Sequence, residues 1–139
     1  MADRAPSLAK PVRASPLSPP GPTRTLPRVN AQDLRDFVFF QDEQVTRRTV
    51  FETERLWSEV VCLNLNQALG PITDPSSDAI FTIVSGEAVV QVDRRRRRLK
   101  QWRSVLVLAG SEITVTNASP EPLVVMVVAA PPPAKAVGE

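Results

Sequence analysis

The chain has 139 residues, of which 42% are hydrophobic, and its formal net charge is +2. This length supports one buried core and is too short for us to expect two ordinary domains. No apolar stretch reaches the roughly 20 residues of a membrane-spanning helix, and the proline-interrupted start lacks the apolar core of a secretory signal, so we expect neither a membrane span nor secretion.

Residues 1–29 are rich in proline and arginine, and they carry five basic side chains against one acidic side chain. Large apolar residues are scarce there, so burial cannot offset the entropy lost on ordering. We expect a disordered tail at 1–29, a second disordered tail at 131–139, and one folded domain over 30–130.

Between these tails the sequence is dense in short runs of valine, isoleucine and leucine. They predict strands at 37–40, 49–51, 59–65, 80–84, 88–92, 96–99, 105–108, 113–116 and 123–128. Only 31–36 and 42–48 have a weakly helical pattern, and Gly70 with Pro71 is typical of a turn. Many short strands at this spacing predict an all-β sandwich or barrel.

The chain contains no histidine, no tyrosine and one cysteine. Without histidine it lacks the usual general base near neutral pH and the commonest nitrogen ligand for metals. Cys62 cannot form an intramolecular disulfide, which fits a reducing compartment, and its apolar strand favours a buried, inert thiol over a nucleophile. We therefore expect a cytoplasmic protein.

Two segments resemble the paired motifs of cupin domains. The first runs from Gly70 through Asp74 and Phe81 to Gly86, and the second runs over 105–110 and 113–117. The resemblance extends from residue 57 to residue 131. It implies a cupin-type double-stranded β-helix, which is a jelly-roll barrel, and it implies a homodimer because cupins commonly dimerise through N-terminal strands.

The resemblance also implies where the metal ligands of the family would lie. The two histidines of the first motif fall at Ile72 and Asp74, its glutamate at Ala79, and the histidine of the second motif at Ile113. A slip of one residue would place Asp78 at the glutamate position, but no slip supplies a histidine. Residues i and i+2 of a strand face the same way, so these positions converge inside a barrel. We expect no metal site and no cofactor.

A predicted pocket therefore replaces the metal site. Its expected lining is Ile72, Asp74, Ala79, Phe81, Ile113 and Val115. Two interpretations stay open, because the interior is either filled by its own side chains or left as a pocket for a small apolar or amphipathic ligand. A third hypothesis is a metal-free isomerase or lyase that uses Glu59, Asp74 or Asp78. Glu112, next to Ile113 on a strand, points to the opposite face and cannot replace the missing histidine.

A basic run follows residues 92 and 93, at the position of a predicted hairpin turn. It consists of Arg94, Arg95, Arg96, Arg97 and Arg98. Alternation predicts Arg95 and Arg97 on one side and Arg94, Arg96 and Arg98 on the other, with Leu99 returning to the core. The run is either a solvated hairpin that resists aggregation or an anion-binding site for nucleic acid, another anionic polymer or a headgroup surface.

Residues 36–40 concentrate three of the five phenylalanines. They predict either an edge strand that pairs with a second subunit or rings that close the core of their own barrel. Taken together, the sequence favours a non-enzymatic, metal-free binding or scaffolding protein, and it leaves open whether the interior is filled or holds a pocket for a small apolar ligand. The alternative of a different kind is an electrostatic adaptor that uses the arginine run and the basic tail.

Overall fold

A computed structural model of the chain describes residues 29–133. The chain divides into a unit that ends at Ala31 and a unit that begins at Gln32, and the description below concerns the second. The tails expected at 1–29 and 131–139 lie almost wholly outside the described residues. Within 29–133, no helix combines the length and the apolar content needed to cross a membrane.

Within residues 29–133, nine strands form two antiparallel sheets, which confirms the prediction of an all-β barrel. The strands are β1 (Thr46–Glu52), β2 (Trp57–Leu63), β3 (Ala68–Thr73), β4 (Asp78–Ser85), β5 (Glu87–Val92), β6 (Arg95–Lys100), β7 (Ser104–Val107), β8 (Glu112–Thr116) and β9 (Leu123–Ala130). The larger sheet has the order β1-β2-β9-β4-β7, and the smaller sheet has the order β3-β8-β5-β6.

The core lies between the two sheets. On β2, Val61 and Leu63 point into this inner cluster, which also contains Val125 and Val127 of β9. The alternate residues of the same strands, including Val60 and Cys62, form an outer cluster on the opposite face of the larger sheet. Because both faces are covered, β2 and β9 are nearly continuous apolar runs rather than alternating ones.

The start of the unit corrects two sequence predictions. Residues 37–40 are not a strand, because a short 3-10 helix occupies Leu34–Phe37 and the Asp33 side chain caps it. Residues 42–48 are not helical either, because β1 begins at Thr46. Phe37 and Phe40 pack against the outer cluster. At these two positions the rings therefore cover the chain's own sheet.

The turn predicted at Gly70 and Pro71 is wrong, because both residues belong to strand β3. Gly70 and Pro71 lie inside the strand, at a break in register between Leu69 and Ile72. Proline is tolerated at bulges and on edge strands, and β3 is an edge of the smaller sheet. A Cβ on Gly70 would lie 2.6 Å from the carbonyl oxygen of Ile113, so only glycine fits this close approach.

Candidate cavity and arginine strand

A cavity of about 80 Å³ lies between the two sheets at the end where β3 and β8 face β4 and β9. Five of the six predicted pocket residues line it: Ile72, Asp74, Ala79, Phe81 and Ile113. The sixth, Val115, is not among its lining residues and lies buried in the inner cluster. Most of the cavity wall is apolar, with polar groups from a few side chains.

The smaller sheet brings Ile72 and Ile113 together. They are direct cross-strand partners in the pairing of β3 with β8, so their side chains share one face. Across the cavity, the larger sheet supplies Ala79 and Phe81, two residues apart on β4. The spacing of the aliphatic positions in the sequence therefore does make them converge on one volume.

A buried ion pair forms part of the wall. Glu59 on β2 is 3% exposed, and its two carboxylate oxygens accept hydrogen bonds from Arg47 of β1. Arg47 Nε lies 3.1 Å from Oε1, and its Nη2 lies 2.8 Å from Oε2. The Arg47 side chain is 42% exposed, so it reaches from solvent to the buried carboxylate. A bidentate geometry of this kind is the strongest that arginine makes with a carboxylate.

Sequence reasoning did not identify Arg47 and Trp57 as cavity residues. Arg47 lies in a segment with a weakly helical pattern, whereas β1 places it opposite Val61 on the inward face. Trp57 shares a face with Glu59 and Val61 through the alternation of β2. Alternation alone would not have identified the pair, because the register places Arg47 opposite Val61 and Glu59 opposite Thr49, so the contact is diagonal.

The carboxylates of Asp74 and Asp78 accept hydrogen bonds from the backbone. Asp74 Oδ1 accepts hydrogen bonds from the backbone N–H groups of Ser76 and Ser77, and it closes the turn before β4. Asp78 is exposed, and its Oδ1 accepts from the N–H of Ala109. Of the three candidate carboxylates, Glu59 and Asp74 line the cavity, and Asp78 does not. Glu112 is exposed next to the buried Ile113, in agreement with the predicted opposite faces.

Comparison with solved structures places this geometry in a known fold. A protein from Thermus thermophilus is 28% identical, with a TM-score of 0.72 over 76% of this chain and 100% of that chain. A Klebsiella pneumoniae protein described as having a double-stranded beta-helix domain is 22% identical, with a TM-score of 0.70 over 74% of this chain and 90% of that one. The cupin domain of Schizosaccharomyces pombe Cnp3 has 21% identity and a TM-score of 0.67, over 74% of each chain.

The chain has the cupin fold. The resemblance seen in the sequence is thereby confirmed at the level of the fold. KdgF from Halomonas sp. has the same fold, with 18% identity and a TM-score of 0.65 over 75% of this chain and 96% of that one. No protein-family model matches the chain, and no curated protein matches it.

The residues at the cupin ligand positions do not fit a metal ion. Ile72, Ala79 and Ile113 have no coordinating atom, and the fourth position, Asp74, uses its Oδ1 in a turn. Within residues 29–133, no group of three or more His, Cys, Asp or Glu side chains is arranged to hold a cation. First-row metals bind imidazole, thiolate and carboxylate ligands, so this wall offers too few donors.

The cupin barrel spreads the five arginines over a turn and a strand. Arg94 alone lies in the turn, and β6 begins at Arg95, so the expected hairpin turn is shorter than the basic run. Leu99 is 8% exposed and joins the inner cluster, as predicted. Arg95 and Arg97 therefore share its face, while Arg96 and Arg98 point outward.

Arg98 Nη1 lies 2.9 Å from Oε2 of Glu87 on the outer face of the smaller sheet. All five arginines are exposed. Cys62 is fully buried in the outer cluster, where its thiol is inaccessible.

Proposed function

We propose that this chain is a non-enzymatic, metal-free binding protein of the cupin fold, and that the cavity takes a small apolar ligand. The observation that carries the proposal is the convergence of Ile72, Ala79 and Ile113 on one cavity. The resemblance to cupin motifs implies that these are the positions of the family's metal ligands. An apolar wall of this kind favours apolar atoms and gives a cation little compensation for its lost hydration.

The size of the cavity limits the ligand. An apolar protein cavity of about 150 Å³ admits benzene. At about 80 Å³, the cavity here fits a smaller group, such as a short branched alkyl chain. The Arg47–Glu59 pair gives this wall a polar, internally neutralised patch, which suits a ligand with one hydrogen-bonding group better than a ligand with a full charge.

Elemental analysis of the purified full chain tests the metal-free part. We expect iron, manganese, nickel and zinc each to stay far below one ion per chain after dialysis. One equivalent of any of these metals that survives dialysis would overturn the proposal.

Ligand entry is tested by nuclear magnetic resonance under xenon pressure, because xenon enters apolar cavities without needing a specific contact. We expect shift changes at Ile72, Phe81 and Ile113. Ile72→Ala enlarges the cavity and should strengthen the effect, whereas Ala79→Leu fills the cavity and should remove it. Shifts that are unchanged in all three proteins would mean that the barrel is closed by its own side chains.

A catalytic role gains little support from the carboxylates. Both oxygens of Glu59 accept from Arg47, and Asp74 and Asp78 each accept backbone N–H groups. A general base needs a lone pair directed at its substrate. The isomerase or lyase hypothesis therefore stays a prediction. An isomerase or lyase activity that survives the separate replacement of Glu59, Asp74 and Asp78 would exclude it.

A homodimer is part of the proposal. Ile80 and Leu106 are direct partners on the outer face of the larger sheet, and they are 45% and 58% exposed. A second copy that covers this face would remove both from water. Sedimentation of the wild-type chain should give a dimer, and Ile80→Asp with Leu106→Asp should give a monomer. A wild-type monomer at all concentrations would contradict this part, as would a double variant that remains dimeric.

The electrostatic adaptor and the cytoplasmic location stay predictions. The adaptor requires binding to nucleic acid or another anionic polymer that weakens steeply with salt and is lost when the five arginines become serine. The fold divides these arginines between two faces, and Glu87 engages one of them.

A further inference from the structure

A groove of about 720 Å³ lies along the seam where the two sheets do not pair. We call it the seam groove. Its walls are β6, the last strand of the smaller sheet, and β7, the last strand of the larger sheet, with β5 behind them. Ligand pockets in proteins typically measure about 300–1,000 Å³, so this groove has the size for a ligand of ordinary dimensions.

Five arginines line this groove together with the carboxylate residue Asp93: Arg94, Arg95, Arg97, Arg98 and Arg103. Arg95 and Arg97 lie on the same face of β6 as the buried Leu99, and Arg103 leads into β7. All three line the groove and are exposed. Among residues 29–133, the only ion pairs are Arg35 with Asp33, Arg47 with Glu59 and Arg98 with Glu87. Arg95, Arg97 and Arg103 thus form no ion pair with a carboxylate in the part of the chain that the structure describes, although Asp93 also lines the groove.

The wall between these arginines is apolar. Val90, Val92 and Leu99 line it from the smaller sheet, and Val105 and Leu106 line it from the larger sheet. In the strand pairing, Arg97 is opposite Val90 and Arg95 is opposite Val92, so each charge stands beside an aliphatic side chain. Such a surface combines a positive potential with apolar area whose exposure to water is unfavourable.

We propose that the seam groove binds a small amphipathic anion, namely a carboxylate with an apolar tail. The guanidinium groups of Arg95, Arg97 and Arg103 would hold the carboxylate through charge-assisted hydrogen bonds, and the aliphatic wall would cover the tail. Arginine matches the planar geometry of a carboxylate, which favours this head group. This site goes beyond the proposed function, because it shares no lining residue with the cavity and shares only Leu106 with the proposed dimer face.

The outward arginines explain why a compact ligand fits better than a polymer. Arg96 does not line the groove, and Arg98, which does line it, is paired with Glu87. A polymer needs a continuous track of free charges. The inward residues instead form a cluster with apolar neighbours, which suits one head group and one tail.

Titration of the full chain with octanoate, followed by nuclear magnetic resonance of backbone amides, tests the proposal. We expect saturable shifts at Val90, Leu99 and Val105. The double variant Arg95→Ser, Arg97→Ser should weaken octanoate binding about tenfold or more, because two charge-assisted contacts are lost. The matched control Arg96→Ser, Lys100→Ser removes the same charge from the outer face of the same strand, and it should change the affinity less than about twofold.

Two further ligands separate the contributions of head and tail. Octan-1-ol has the same chain without the charge, and it should bind at least about tenfold more weakly than octanoate. Each methylene added between hexanoate and octanoate should raise the affinity by up to about fourfold, because it buries more apolar surface. Thermal melting of both double variants is the folding control. Both should unfold cooperatively, because the changed positions are exposed.

Several results would overturn the proposal. They are no saturable octanoate binding at millimolar concentration, equal losses in the two double variants, octanol binding as tight as octanoate binding, and shifts confined to the cavity at Ile72 and Ile113. An oligonucleotide that binds more tightly than octanoate and loses affinity equally in both double variants would also overturn it, in favour of the adaptor. The metal and xenon measurements on the cavity are independent of all these outcomes.

Discussion

The buried ion pair in the cavity wall predicts an asymmetry between its two partners. Replacing Arg47 with methionine keeps the aliphatic stem but removes the bidentate partner of Glu59, which is almost fully buried. Replacing Glu59 with glutamine leaves Arg47 without its charged partner, but the arginine side chain is 42% exposed and water can solvate it. The arginine substitution should therefore be the more damaging one.

The expected magnitudes follow from the burial of each group. Loss of one partner from a fully buried pair costs about 3–5 kcal/mol, and we expect Arg47→Met to lie near the lower end because the pair reaches solvent on one side. Glu59→Gln should cost about 1–2 kcal/mol, since the amide still accepts a hydrogen bond. For a domain of this size, about 1 kcal/mol lowers Tm by about 4–8 °C.

Urea unfolding of both variants measures the difference, and Arg48→Met is the matched control. Arg48 is the next residue, lies on the other face of β1, and contacts the Phe39 ring at 4.9 Å from its centroid. An exposed contact of this type is worth about 0.5–1 kcal/mol. Equal losses for Arg47→Met and Arg48→Met would refute the reasoning, as would a larger loss for Glu59→Gln than for Arg47→Met.

Three other predictions concern stability and are checked by the same unfolding measurement. Gly86→Ala should cost about 2–4 kcal/mol, because its φ is +89° and a Cβ would lie 2.5 Å from the Pro122 carbonyl oxygen, whereas Gly110→Ala, with φ +90° but no atom within 4 Å, should cost about 1–2 kcal/mol. Similar losses for the two would contradict this account. Asn117→Ala should cost about 2–3 kcal/mol, because its buried amide donates to the Leu63 and Glu121 carbonyls at 2.9 and 2.8 Å, and a loss below about 1 kcal/mol would exclude that role. Arg98→Ser should cost less than about 1 kcal/mol, because its ion pair with Glu87 is exposed, and a larger loss would show that the pair is structural.

The strand pattern of this chain could be predicted where hydrophobic residues mark it. The apolar runs of β2, β4 and β9 were found because valine, leucine and isoleucine fill both faces of those strands. Strand β3 was missed because Gly70 and Pro71 are typical turn residues, and only tertiary pairing with β8 holds them in a strand. Strand β1 was found only in its last part, since its arginines and threonines show no clear hydrophobic period.

The candidate site, like the strand pattern, could be predicted from the sequence only in part. The convergence of Ile72, Ala79 and Ile113 follows from strand alternation and from the resemblance, so it could be predicted from the sequence. The Arg47–Glu59 pair joins residues twelve positions apart on different strands, and it depends on the register of β1 with β2. The seam groove depends on which strands end the two sheets, which the order of strands along the chain does not determine.

Nickel titration of the variant Ile72→His, Asp74→His, Ile113→His, measured beside the wild type by calorimetry, tests the central claim most directly. If these side chains converge where a cupin holds its metal, the folded variant should bind one nickel ion per chain at least about a hundredfold more tightly than the wild type, because imidazole is a preferred ligand of nickel. A folded variant with no gain over the wild type would contradict the claim, and so would a wild-type chain that itself binds one ion tightly.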